Sequence, residues 1–413
     1  MITRRTLLRA SAGAALTTTV GGTRAAPAAA VDADRSAAGP ARQVDRPDLQ
    51  AILDRAVSSG PISALVELRN ADGVWRASSG SARFGAELPV PLNGRFRVGS
   101  VTKTFVATVV LQLVGQGRLR LDDTVERWLP GVIPGGAQIT LRNLLQHTSG
   151  IYNFTNEILP HVIFPPESLV WERFRTYAPQ ELIAIANRHP AQFEPGTSWG
   201  YSNTNYILLS LVIERVTGHD YRQEVHRRIL RPLRLHDTTL PGTYPYIRGP
   251  HAHGYVAMLR DGQYVPVDIT AFNPSISAAA GEIISTTADL NTFYRALLGG
   301  RLLKPAQLQQ MLADPIGPMA YGLGIYRLVL PCGTTLWGHD GSIPGYLTYA
   351  VSTDDATAQM SLSITPWLGD PTEPITTLVV QAMCGNQPPA TTASGRSITI
   401  TTVDGWLPTS RGL

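Results

Sequence analysis

The chain is predicted to be an α+β protein, an antiparallel sheet flanked by helices and joined to a mainly helical part. Three observations lead there. Strand-like segments stand near both ends and enclose a mainly helical stretch from about residue 100 to 300. The later strands follow one another through connections too short for a parallel crossover, so they must reverse and pair antiparallel. One amphipathic helix precedes the first strands and another follows the last.

In chain order, "DLQAILDRAVSSG" puts Leu49, Ile52, Leu53, Ala56 and Val57 on one helical face, and Gly60 stops it. "ISALVELR" and "VWRASSG" read as strands meeting at "NADG", a hairpin turn. "FRVGSVTKTFVATVVLQLVGQG" predicts a helix beginning at Ser100. "YILLSLVIERVTG" and "STTADLNTFYRALLGG" are the clearest helices of the middle stretch, and "PHVIFPPESLV" is a long loop within it. Strand character returns in "YGLGIYRLVL", "TTLWGHDG", "YLTYAVST" and "AQMSLSIT". The helix "ITTLVVQAMCG" closes the set, with Ile375, Leu378, Val379 and Met383 on one face. The tail from 386 to 413 is rich in Pro, Thr and Ser and is expected to be loosely attached.

A chain of 413 residues with 43% hydrophobic content can bury the core of one large or two medium domains. Its net charge of +4 hints at an anionic partner, but the first thirty residues hold Arg4, Arg5, Arg9 and Arg24 and no acid. Without them 31 basic and 31 acidic residues balance, and no basic run remains, which excludes a nucleic-acid binder. Residues 1–30 place a twin arginine ahead of a short, mildly apolar stretch, the pattern of a Tat export signal. That stretch is too short to stay in a bilayer, so a secreted protein without stable membrane insertion is expected, with a linker at 31–47. Cys332 and Cys384 both fall in the exported part, where a disulfide is favoured over two buried thiols. "HAHGY" (251–255) offers two histidines but no third ligand, so no metal and no cofactor is expected.

The chain has only two lysines, Lys103 and Lys304, and uses arginine for every other cation. Lys103 stands three residues after Ser100, one turn along the same helical face. Val101, Phe105, Val106, Val109, Val110 and Leu113 cover most of the remaining circumference, so this helix should be buried. Burial drives an amine toward its neutral form and makes it a base, which arginine never becomes. The helix start favours negative charge developing on the serine oxygen. "PGTSWGYSNTNY" adds Tyr201 and Asn203, two apart in one loop, where a phenol relays protons and a carboxamide holds a substrate carbonyl. "LWGHDGSIPGY" adds His339 and Gly341 on a strand that forms one wall, the glycine admitting a substrate backbone.

The order Ser-x-x-Lys, Tyr-x-Asn, His-x-Gly resembles the penicillin-recognising serine hydrolases, the group of class C β-lactamases and low-molecular-mass DD-peptidases. The likeness is greatest to the secreted D-alanyl-D-alanine carboxypeptidases of actinobacteria. It runs from about 49 to 385 and includes "FRVGSVTK", "HTSG" (147–150), "AAAGEIISTTADL" and "YGLG". It implies a five-stranded antiparallel sheet in an α/β part (about 48–125 and 285–385), a helical part (about 126–284), and an active site between them. It also implies a disulfide matching Cys332 with Cys384. Residue by residue, it implies Ser100 as acylated nucleophile, Lys103 as its base and Tyr201 as proton shuttle. Asn203 would bind the acyl-side amide, His339 would shape the electrostatics, and the N–H groups of Ser100 and Ser342 would form an oxyanion hole.

The activity so implied is a DD-carboxypeptidase or transpeptidase acting on D-alanyl-D-alanine peptides, acylated by β-lactams as covalent inhibitors and expected to be a monomer. The alternative is an esterase, D-amino-acid amidase or D-aminopeptidase of the same mechanism, and a non-catalytic peptidoglycan-binding protein stands third. The substrate strand departs from the carboxypeptidase pattern. There, threonines occupy the places of Asp340 and Ser342, and an arginine at the place of Tyr326 holds the substrate's free carboxylate. Two carboxylates about 4 Å apart repel by roughly 4 kcal/mol at an intermediate dielectric. An Asp340 that faces the cleft would therefore suit an amide, ester or amine end; one that points away is a hydrogen-bonded strand residue. Arg327, one place along from Tyr326, is the nearest substitute cation, though a one-residue shift normally turns a strand side chain to the other face.

Overall fold

A computed structural model describes residues 42–158 and 171–385. The expected leader, most of the expected linker, residues 159–170, where a long loop is predicted, and the tail from 386 lie outside the described residues. The central sheet is antiparallel throughout, in the order β2-β1-β10-β9-β8-β7. Its strands are β1 (Ser63–Asn70), β2 (Gly73–Gly80), β7 (Tyr326–Val329), β8 (Thr335–Ile343), β9 (Tyr346–Thr353) and β10 (Gln359–Thr365). That is six strands, where the resemblance implies five. The edge strand β7, predicted from "YGLGIYRLVL", is folded back onto β8 by a tight turn closed by the Leu330 N–H on the Thr334 carbonyl (2.9 Å).

On one face of the sheet lie α1 (Pro47–Ser58) and the C-terminal helix (Thr372–Cys384). Leu49, Ile52, Leu53, Ile375 and Leu378 bury their side chains there against Val66, Leu336, Tyr349 and Leu362. Each such aliphatic side chain contributes about 1.5–3 kcal/mol of transfer free energy, set against the entropy of ordering the chain. A Cys332–Cys384 disulfide joins the end of that helix to the β7–β8 turn across 52 residues. Closing a loop of that length stabilises by about 4 kcal/mol in the chain-entropy model.

On the other face sit α2 (Thr102–Gly115) and the helix Thr287–Leu298, with the ring of Phe105 stacked on that of Phe293 at 3.7 Å between centroids. α2 is buried nearly all round, as its sequence predicts. It does not start at Ser100, however. Gly99–Val101 form one 3-10 turn and the α-helix begins at Thr102. The chain enters through Gly99 at φ +52°, where an added Cβ would lie 2.9 Å from the Ser342 nitrogen. The core beneath α2 continues without a break into the helices Leu141–Gln146, Pro179–Ala186 and Thr204–Thr217.

The middle stretch is less purely helical than its sequence predicts. It holds a hairpin, β4 (Tyr255–Arg260) with β5 (Gln263–Asp268), turning at Asp261 and Gly262, both with positive φ. Asp-Gly between alternating residues is a strong hairpin signal and prevails over the helical trend around it. Phe96–Arg97 (β3) also pairs with Ile284–Ser285 (β6) just ahead of Ser100. No described helix is long and apolar enough to cross a membrane.

Candidate active site

Ser100 Oγ lies 2.8 Å from Lys103 Nζ and 2.8 Å from Tyr201 OH. The i,i+3 spacing brings serine and lysine together, and tertiary packing delivers the tyrosine from the loop before the helix Thr204–Thr217. Lys103 is wholly buried, and Nζ makes two further contacts, with Asn203 Oδ1 (2.7 Å) and the Ala280 carbonyl (2.8 Å). Those two oxygens only accept. A neutral amine that donates to both has its lone pair left for the Ser100 hydrogen, the arrangement a proton acceptor needs.

Each partner is itself held. The Asn203 backbone N–H donates to Asn153 Oδ1 (3.0 Å), and its side-chain amide donates to Thr155 Oγ1 (3.2 Å). Ala280 belongs to a turn in which Ala278 adopts φ +38°, a conformation costly for a residue with a Cβ. Nearby Glu282, fully buried, anchors that turn by accepting the Gly242 N–H (2.8 Å) and pairing with Arg222 Nε (2.7 Å). Tyr201 is packed between two groups: Lys103 Nζ lies 4.8 Å from its ring centroid, and the His147 ring stacks at 4.2 Å. His147 is buried, and burial followed by the Lys103 charge pushes its imidazole well below the usual range.

β8 forms the opposing wall. β7 pairs only with residues 335–338, which leaves 339–343 as a free edge on that side. Gly341 is where that wall meets the turn carrying Ser100: a Cβ there would sit 1.9 Å from the Val98 carbonyl and 3.0 Å from the Ser100 nitrogen. With Gly99 against the Ser342 nitrogen, the same approach brings the backbone N–H groups of Ser100 and Ser342 to neighbouring edges. His339 is buried on the Gly341 face, with Nε2 2.8 Å from Tyr321 OH and Nδ1 2.5 Å from the Asp340 carbonyl.

Strand alternation turns Asp340 and Ser342 to the other face. Asp340 stands opposite Tyr349, is 4% exposed, and keeps its Oδ1 3.6 Å from His339 Nδ1. Its charge raises the phenols of Tyr326 and Tyr349 beyond the large effect of burial. Arg327 stands opposite Trp337, hence on the face away from Asp340, and is exposed. The structure thus gathers Ser100, Lys103, Tyr201, Asn203, Gly341 and the Ser342 backbone, sets His339 behind them, and keeps Arg327 apart from Asp340. Tyr321, His147 and the Ala280 carbonyl join the site without having been assigned a role from sequence. All three sit in motifs visible there, "YGLG", "HTSG" and "AAAGEIISTTADL", but which backbone carbonyl reaches Lys103 leaves no signal in residue type. Among the described residues no group of three His, Cys, Asp or Glu is arranged to hold a metal.

A family model described as Beta-lactamase matches residues 50–369. Among solved structures, a D-stereospecific amidohydrolase from Streptomyces sp. is 40% identical with a TM-score of 0.76, covering 83% of this chain and 99% of that one. D-amino acid amidase from Ochrobactrum anthropi SV3 is 28% identical with a TM-score of 0.71, covering 82% of this chain and 98% of its own. Penicillin-binding protein 4* of Bacillus subtilis is 27% identical over 68% of this chain, which spans 62% of that relative's length.

Proposed function

Since the chain belongs to the Beta-lactamase family of serine hydrolases, we propose that it works through an acyl-enzyme on Ser100 and cleaves amides of D-configured amino acids. The observation that carries the mechanism is the hydroxyl placed 2.8 Å from both a buried amine and a phenol. Lys103 takes the Ser100 proton as Oγ attacks the substrate carbonyl carbon. The N–H groups of Ser100 and Ser342 hold the oxyanion, an effect usually worth about 3–4 kcal/mol per donor. Collapse breaks the C–N bond, and Tyr201 passes the proton to the departing amine. Water then attacks the ester carbonyl and gives a proton to the Lys103–Tyr201 pair, which passes it to Ser100 Oγ as the C–O bond breaks and the acid leaves.

For the substrate, the leaving-group side favours an uncharged end. Tyr326 holds the place where the resemblance puts a carboxylate-binding arginine and shares its strand face with Asp340, so that place carries a phenol beside a carboxylate; Arg327, exposed, stands on the opposite face, that of Trp337. Likeness to a D-stereospecific amidohydrolase and to a D-amino acid amidase, over nearly their whole length, supports the same reading. The second reading, a DD-carboxypeptidase, is favoured by the likeness to a penicillin-binding protein.

Rates on a matched D-amino amide, simple ester and peptide ending in D-Ala-D-Ala separate the two. The amide should turn over fastest and the free-carboxylate peptide slowest; the reverse order selects the carboxypeptidase. Labelled penicillin should attach to wild type and not to Ser100→Ala. Equal labelling of both would remove Ser100 as nucleophile.

A further inference from the structure

Tyr321 takes no part in the steps above, yet it is the side chain that engages His339. Its ring is completely buried and lies edge-on to His147 (4.9 Å), His339 (5.5 Å) and Tyr201 (6.5 Å). The two nitrogens of His339 can be assigned from their partners. Nδ1 faces the Asp340 carbonyl at 2.5 Å, and a carbonyl only accepts, so Nδ1 carries a hydrogen. Burial, and then the Lys103 charge, pull the imidazole down to about 3, so the ring is neutral at ordinary pH. Nε2 therefore presents a lone pair, and the Tyr321 hydroxyl 2.8 Å away must donate to it.

We propose that Tyr321 is a positioning residue whose hydroxyl locks His339 as its neutral Nδ1–H tautomer behind the Ser100, Lys103 and Tyr201 cluster. Both nitrogens are then occupied, so His339 neither flips nor collects a proton. The charged and titratable groups around it are Lys103 on α2, His147, Asp340 with Oδ1 at 3.6 Å, and the rings of Tyr321 and Tyr326. A proton on this ring would place a second positive charge near Lys103 and oppose transfer of the Ser100 hydrogen to the amine. The expected effect on rate rests on the acyl-enzyme reading; the tautomer does not.

The test uses the full chain with ¹⁵N-labelled histidine. The His339 signals are identified among the nine histidines by their loss in His339→Gln. Wild type should show hydrogen on Nδ1 and a bare Nε2; a protonated Nε2 in wild type overturns the proposal whether or not any variant folds. Tyr321→Phe keeps the ring and removes the donor, so it should mix the two tautomers and lower kcat about tenfold, as loss of one hydrogen bond of roughly 1.4 kcal/mol implies, with KM unchanged. Added to His339→Gln, the same substitution should change kcat less than about twofold, because its partner is gone. Rate losses that simply multiply in the double variant, or a Tyr321→Phe protein with wild-type tautomer and kcat, would overturn it. Should no substrate turn over, the tautomer spectrum still decides.

Discussion

Lys103 shows how one side chain's chemistry governs its site. It sits fully buried among oxygens that fix two of its directions and leave the third for Ser100. An arginine in its place would keep the charge but never give up its proton. Lys103→Arg should therefore fold and yet lose at least about a thousandfold in kcat, the scale of a general base, read by turnover of the D-amino amide. A variant retaining a tenth of the wild-type rate would mean that the amine is not the base. Serine and lysine were legible in the sequence because an i,i+3 spacing is local and lysine is rare here. Tyr201 and Asn203 were legible as a pair on one loop. The Ala280 carbonyl was not, because any residue type supplies a carbonyl; it reaches Lys103 from 177 residues away.

At the scale of elements, the site depends on the edge of β8 lying against the turn that opens α2. Both contacts run through glycines. Gly99 allows the positive φ of the turn, and Gly341 leaves room for the Val98 carbonyl, which a Cβ would meet at 1.9 Å. Gly341→Ala should push β8 outward and separate the N–H groups of Ser100 and Ser342. Acylation by labelled penicillin should then slow at least about a hundredfold, as loss of an oxyanion donor does, while the far-UV spectrum stays that of wild type. Wild-type acylation in that variant would show that the strand need not approach so closely. The strand itself was readable from "TTLWGHDG"; which face Asp340 takes was not, since alternation acquires a direction only when Asp340 pairs with Tyr349. The β4–β5 hairpin was lost in a helical setting, although its Asp-Gly turn was in plain view.

For the whole molecule, the two imidazoles in the core tie stability to pH. His147 and His339 are both wholly buried and held below their unfolded value, His339 at about 3. Below the unfolded value of about 6.5, the unfolded chain binds protons that the native protein refuses, so stability falls as pH falls toward the folded pKa. For His339 this costs about 2 kcal/mol at pH 5 relative to pH 8, and His147 acts in the same direction. Melting temperature should thus drop between pH 7 and 5, and His147→Gln should flatten part of that slope. A slope identical in the variant would mean His147 is already protonated when folded.

By itself the sequence determined the order and type of most elements, the buried character of α2, and the pairing of Ser100 with Lys103, because periodicity and one-turn spacing are interactions between near neighbours. Tertiary structure alone decided the face of Asp340, the separation of Arg327 from it, and the partners of His339. Those are contacts between segments far apart in the chain, and they come into being only when the sheet closes on the helices.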